Sequence, residues 1–145
     1  MNLMGLAPYQ KGQKPAKPPR KRMRQVSPKK AAYRASEAGK EGSAYMGKVK
    51  QLPCVCCQQL GRVQCSPTEV HHVKSGRFGN LRESDKCVIP LCHSHHNKLR
   101  PYPGDEVVAG YHNGQETWER KFGPDYGFIP PTRALVAAMN DTIDF

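Results

Sequence analysis

The chain is short of large aliphatic residues, has no long apolar run and, beyond residue 50, carries no excess of either charge. Each shortage removes a class of explanation. Leu, Ile, Val and Phe are scarce among 145 residues while Gly and Pro reach 13 each, so one small domain with a modest core is the expectation. A core of that size usually needs a staple, either disulfides or a metal. No stretch of about 18 apolar residues exists, so no membrane span is expected. The start, Met1 to Tyr9, lacks the basic n-region, long apolar stretch and cleavage site of a secretory signal, and a cytoplasmic address follows as the expectation. There the six cysteines read as metal ligands or thiols, with disulfides in an oxidising compartment as the alternative. No coiled-coil repeat is visible, and a monomer is expected.

What is present is divided unevenly. Residues 1–50 hold thirteen Lys and Arg against Glu37 and Glu41, whereas residues 51–145 balance ten against ten, so the net charge of +11 belongs to the first third. All six cysteines and all six histidines lie between Cys54 and His112. This predicts a disordered basic arm over residues 1–50 and a compact domain over 51–145. In the arm, Pro15, Pro18, Pro19 and Pro28 break up KGQKPAKPPRKRMRQVSPKK (residues 11–30), and few apolar groups are there to offset ordering entropy. Arg20, Lys21, Arg22 and Arg24 form its densest cluster, suited to phosphate backbones through counterion release, with DNA or RNA as partner. Residues 31–50 are Ala-rich with Gly interruptions and predict a short frayed helix leading into the domain.

Cys54 and Cys57 form a Cys-x2-Cys pair, and Cys92 with His95 a Cys-x2-His pair, with Cys92 35 positions after Cys57. These ligand types and spacings fit a tetrahedral structural Zn²⁺ site, with the first pair on a knuckle after Pro53 and the second opening a helix. Cys56 and Cys65 are rival ligands, and Cys87 in the apolar run CVIPL reads as a buried thiol.

TEVHHV (68–73) has the β-branched character of a strand, and a pleated strand sends His71 and His72 to opposite sides. CVIPL predicts a second strand and Cys92 to Leu99 a helix, on which His95 and His96 differ in direction by about 100°. If His95 faces the zinc, His96 points back toward the His-His strand. Strand, loop, strand and helix with histidines so placed make a ββα-metal arrangement in a small α+β protein. Trp118 and Phe122, four apart in TWERKFG, are expected core residues on a helix ending at Gly123. FGPDYGFIPP reads as a turn-rich cover, and Thr132 as the N-cap of a last helix, Arg133 to Asn140.

The string PTEVHHVKSGRFGNLRESDKCVIPLCHSHHNKL (67–99) resembles the core of the HNH (His-Me finger) nuclease superfamily, and most of all the phage recombination-enhancement (Ref) nucleases. The resemblance covers roughly residues 52–128. Those proteins similarly pair a disordered basic arm with a zinc-bearing HNH domain and cut DNA where RecA is bound. It implies that His71 is a ligand of a catalytic ion, Mg²⁺ or another divalent metal, that His72 is the general base, and that His96 is a second ligand. Asp85 would take the middle position, where many relatives carry Asn. Relatives commonly place a third ligand where this chain has Arg100, and the next histidine, His112, is the expected replacement. Lys74 and Arg77, in the loop between the strands, are candidate DNA contacts. The implied function is a metal-dependent DNA endonuclease, of phage type, with DNA and a RecA filament as partners. The alternative is a non-catalytic zinc-bound nucleic-acid-binding module.

Overall fold

The computed structural model describes residues 26–74, 84–97 and 109–141. Arg20, Lys21, Arg22, Arg24, Arg77 and Arg100 lie outside them.

The first helix begins where a break was expected. Ser27 accepts a hydrogen bond from the Lys30 amide, and Pro28 occupies the first position of α1 (Pro28–Ala35), where its missing N–H costs nothing. Ser36 then ends α1 and caps α2 (Glu37–Val49): its extended backbone breaks the helix while its hydroxyl accepts from the Gly39 amide at 3.2 Å. So residues 28–49, expected to belong to the disordered arm, are two helices. A Cβ on Gly39 would lie 2.0 Å from the Tyr33 carbonyl oxygen, and one on Gly42 2.7 Å from Cβ of Asp85. The glycines that weakened the helix expectation are what let α2 approach its neighbours. At its far end α2 buries Val49, which with Leu52, Val88 and Val136 forms one small core, flanked by Tyr45, Met46, Val70 and Met139.

The expected strand pair is present. β1 (Thr68–His72) runs antiparallel to β2 (Val88–Cys92), with His71 opposite Ile89 and His72 opposite Val88. Alternation sends Val88 to the α2 side, while Ile89 and Leu91 enter a second core with Cys54, Cys56, Cys57, Tyr111, Trp118 and Phe122. The knuckle helix α3 (Val55–Gln59) packs on β2 and supplies the cysteines. α4 (His93–His96) follows β2 directly and is only four residues long, with Asn97 as its C-cap, shorter than the predicted helix.

A single 3₁₀ turn (Tyr111–Asn113) precedes α5 (Gln115–Phe122), which buries Trp118 and Phe122 as expected and closes at Gly123 with φ +87°. A second 3₁₀ turn (Asp125–Phe128) leads into α6 (Ile129–Asp141). α6 starts earlier than predicted, because Pro130 and Pro131 fit a first helical turn. Thr132 is therefore not a cap. It is buried inside the helix, and its hydroxyl donates to the Phe128 carbonyl at 2.7 Å. No described helix is long and apolar enough to cross a membrane.

Candidate metal centres

The knuckle and the end of β2 bring four soft donors together. Cys54, Cys57, Cys92 and His95 are all buried, with their ligand atoms within 4.8 Å of one another. Cys57 and Cys92 sulfurs are 3.9 Å apart, and His95 Nδ1 lies 3.0 to 3.6 Å from the three sulfurs. Zn–S bonds of about 2.3 Å at a tetrahedral angle put sulfurs roughly 3.8 Å apart, close to the Cys57–Cys92 separation. These are the four residues that spacing singled out, and neither Cys56 nor Cys65 is among the grouped donors. Cys56 is buried beside the quartet, where its thiol donates to Cys54 and draws the Cys54 thiol well below its usual range, while burial pushes Cys56 itself up. Cys65 is exposed. Cys87 is half-buried rather than buried, with Arg133 Nη2 at 3.5 Å from its sulfur. None of the six is in a disulfide. The quartet could hold a metal such as zinc.

The second cluster grows from the first. His95 and His96 are neighbours on α4, and with His95 turned into the cysteines, His96 faces β1. It meets His71 edge-on at 5.2 Å between ring centroids. The turn at Tyr111–Asn113 carries His112 to the same place, with its Nε2 2.9 Å from Nε2 of His96. The three rings present ligand atoms within 4.8 Å of one another. His71 is 1% exposed and its Nδ1 has no hydrogen-bond partner among the described residues. A buried acceptor left in that state costs about 1–3 kcal/mol, which a bound cation would offset. Burial lowers His71 below the usual imidazole range despite Asp125. Burial, then the charges of His96 and Lys74, takes His112 to about 4. Both rings are thus neutral near pH 7, the form that ligates metals.

Behind the rings stand two carboxylates that spacing did not single out. Asp125, fully buried, accepts from His71 Nε2 at 3.0 Å and from the Lys74 amide at 2.7 Å. Glu69 accepts from His96 Nδ1 at 2.5 Å and from His93 Nδ1 at 2.8 Å, so His93 is half-buried and tied to β1. Burial works against ionisation of Glu69, but hydrogen bonds from His93 and His96 outweigh it and hold its carboxyl below the usual range.

His72 lies on the other side of β1, as the pleat requires. Its Nε2 is 3.2 Å from Asp85 Oδ1, and the Tyr33 hydroxyl donates to Asp85 Oδ2 at 3.1 Å. The helices at the start of the fold thereby reach the histidine strand. Lys74 Nζ sits 3.3 Å from His112 Nδ1 at the exposed rim of the three-histidine group. A cleft of about 660 Å³ opens beside His96, between Met46 and Gly47 of α2 with its C-cap Lys50 and Glu69 and Val70 of β1.

The family model described as "Recombination enhancement, RecA-dependent nuclease" matches residues 39–133, more than half of the chain. The chain belongs to this family. The match begins inside α2 and ends in α6, so it takes in both histidine faces and the cysteine knuckle. Curated proteins and solved structures gave no match. The family description makes the protein a nuclease connected with recombination and RecA. What the histidines do in that activity is a matter for chemistry.

Proposed function

We propose that the protein is a metal-dependent DNA endonuclease of the HNH, ββα-metal type, with His71, His96 and His112 holding the catalytic ion and His72 acting as general base. The observation that carries this reading is the split of adjacent histidines across β1. His71 faces two further imidazoles with a partnerless buried nitrogen, while His72 faces a carboxylate.

His71, His96 and His112 would hold a divalent ion that would supply positive charge against the charge growing on the phosphate and the departing oxygen. With Nε2 donating to Asp85, His72 has Nδ1 as the nitrogen that takes a proton from water. The resulting hydroxide attacks phosphorus, the bond to the opposite oxygen breaks, and the leaving oxygen keeps the electron pair and takes a proton from solvent. Asp85 fixes the tautomer and stabilises the imidazolium that forms, itself held by Tyr33 and the close approach of Gly42. Lys74, at the rim, is placed to meet a phosphate oxygen. An all-imidazole donor set suits Zn²⁺ and other transition ions better than Mg²⁺, which would need oxygen ligands from phosphate and water. Arg20, Lys21, Arg22, Arg24 and Arg77 are proposed to add phosphate contacts, with RecA-coated DNA as the substrate form.

The proposal is tested by counting ions and cuts together. Wild type should bind two metals per chain, and His112→Ala should lower affinity for the second by at least ~10-fold, with a matching loss of cleavage. A folded wild type holding two zinc ions and cutting no DNA would instead favour a non-catalytic zinc-bound module. His112→Ala with unchanged metal affinity would remove His112 from the ligand set.

A further inference from the structure

A neutral imidazole has one N–H and one lone pair, and nothing in the ring decides which nitrogen carries which. At a metal centre that choice determines whether the lone pair points at the ion or away from it. Two of the three histidines have the choice made for them here. As a carboxylate Asp125 offers only acceptor oxygens, so the His71 nitrogen 3.0 Å from it, Nε2, then carries the proton. Glu69 does the same at His96, fixing the proton on Nδ1. The lone pairs left are Nδ1 of His71, the buried nitrogen without a partner, and Nε2 of His96, the nitrogen facing His112.

Resting on the nuclease reading above, we propose that Asp125 and Glu69 are positioning residues that lock His71 and His96 in opposite tautomers, so that a mixed Nδ1 and Nε2 set converges on the ion. Each carboxylate is itself braced. Asp125 Oδ2 also accepts the backbone amide of Lys74, which pins the end of β1 to a turn 51 residues further on. The second oxygen of Glu69 takes His93 Nδ1, giving that histidine a role that its position beside Cys92 does not suggest. Glu69 and His71 share one face of β1 as residues i and i+2, whereas Asp125 arrives from the turn before α6. Two carboxylates behind the rings also make those rings better donors to a cation.

The full chain, with its cysteine quartet loaded with one zinc, is titrated with Co²⁺ or Mn²⁺ by calorimetry. Ring nitrogen chemical shifts report the tautomers of His71 and His96 directly. Asp125→Asn keeps an oxygen where Oδ2 stood and can hold both donors. Removing its charge should weaken the second ion about 10-fold, and Glu69→Gln should do likewise. Asp125→Ala should weaken it up to ~100-fold and let His71 populate both tautomers. If the alanine variant fails to fold, the Asn and Gln variants carry the test. Wild type taking up two ions, with both conservative variants within twofold of it, overturns the positioning role and leaves the nuclease reading intact. A lowered melting temperature with unchanged affinity is likewise a structural role only and overturns it. Wild type taking up a single ion overturns both.

Discussion

His72→Ala should lower the rate of DNA cleavage by about 10²- to 10⁴-fold, the range that a positioned general base contributes. The imidazole is partly exposed on the face of β1 opposite the metal ligands, so its removal opens no large cavity and touches none of the three rings that meet at His71. Metal stoichiometry, DNA affinity and melting temperature should therefore stay near wild type while single-turnover cutting collapses. On the proposed reading Asp85 acts through His72, which gives the loss a second signature. Asp85→Ala should be damaging in the wild-type background and add little to His72→Ala, because residues working as a unit are not additive. Near-normal cutting by a folded His72→Ala variant would place the base elsewhere.

The second large effect concerns folding. Cys57→Ser, or stripping the metal with a chelator, should abolish the cooperative unfolding transition. The sulfurs of Cys54, Cys57 and Cys92 sit in the middle of the larger core, among Ile89, Leu91 and Trp118. Structural zinc contributes an apparent ~10–16 kcal/mol in small modules. That is as large as the roughly 5–15 kcal/mol of net stability of a whole domain. The damage should also reach the second metal. α4 has four residues, far below the ~12–15 at which an isolated helix becomes even marginal, and it carries His95 and His96 side by side. Once the anchor at His95 is lost, nothing local keeps His96 aimed at His71. Zinc content, thermal unfolding and second-ion affinity measured on one preparation would check this. A Cys57→Ser protein with an unchanged melting temperature would contradict it.

The sequence was most legible where the determining interactions are local. Cys54 with Cys57 and Cys92 with His95 are three apart, one turn of chain, and such pairs can be read without knowing the fold. The alternation of TEVHH and the four-residue step from Trp118 to Phe122 are equally short-ranged, and both elements formed as expected. Asp125 and Glu69 escaped notice because each is a lone acid whose meaning depends on a partner 54 or 27 residues away. Asp125 moreover lies in a segment whose aromatics and prolines suggested no more than a cover. His112 could be reached from the sequence through family resemblance, not through spacing, since an insertion separates it from His96.

The helices before residue 50 were misread for a different reason. Basic charge and glycine are signs of disorder on average, and glycine does cost helix stability. Here Gly39 and Gly42 stand where α2 presses on Tyr33 and Asp85, so packing outweighs propensity. Pro28 in a stretch that reads as broken, and Pro130 and Pro131 in one that reads as turns, occupy first helical turns, a distinction that depends on where a helix starts.

The central claim, that this nuclease works through a divalent ion held by three histidines, is tested most directly by one titration. Cleavage of RecA-coated and bare DNA is followed as Mn²⁺ or Mg²⁺ is added to protein whose cysteine quartet already holds zinc. Cutting should be absent without added ion, rise with occupancy of the second site, and fail to rise in His71→Ala at the same concentrations. Undiminished cutting by His71→Ala, or cutting by wild type with the second site shown to be vacant, would contradict the account.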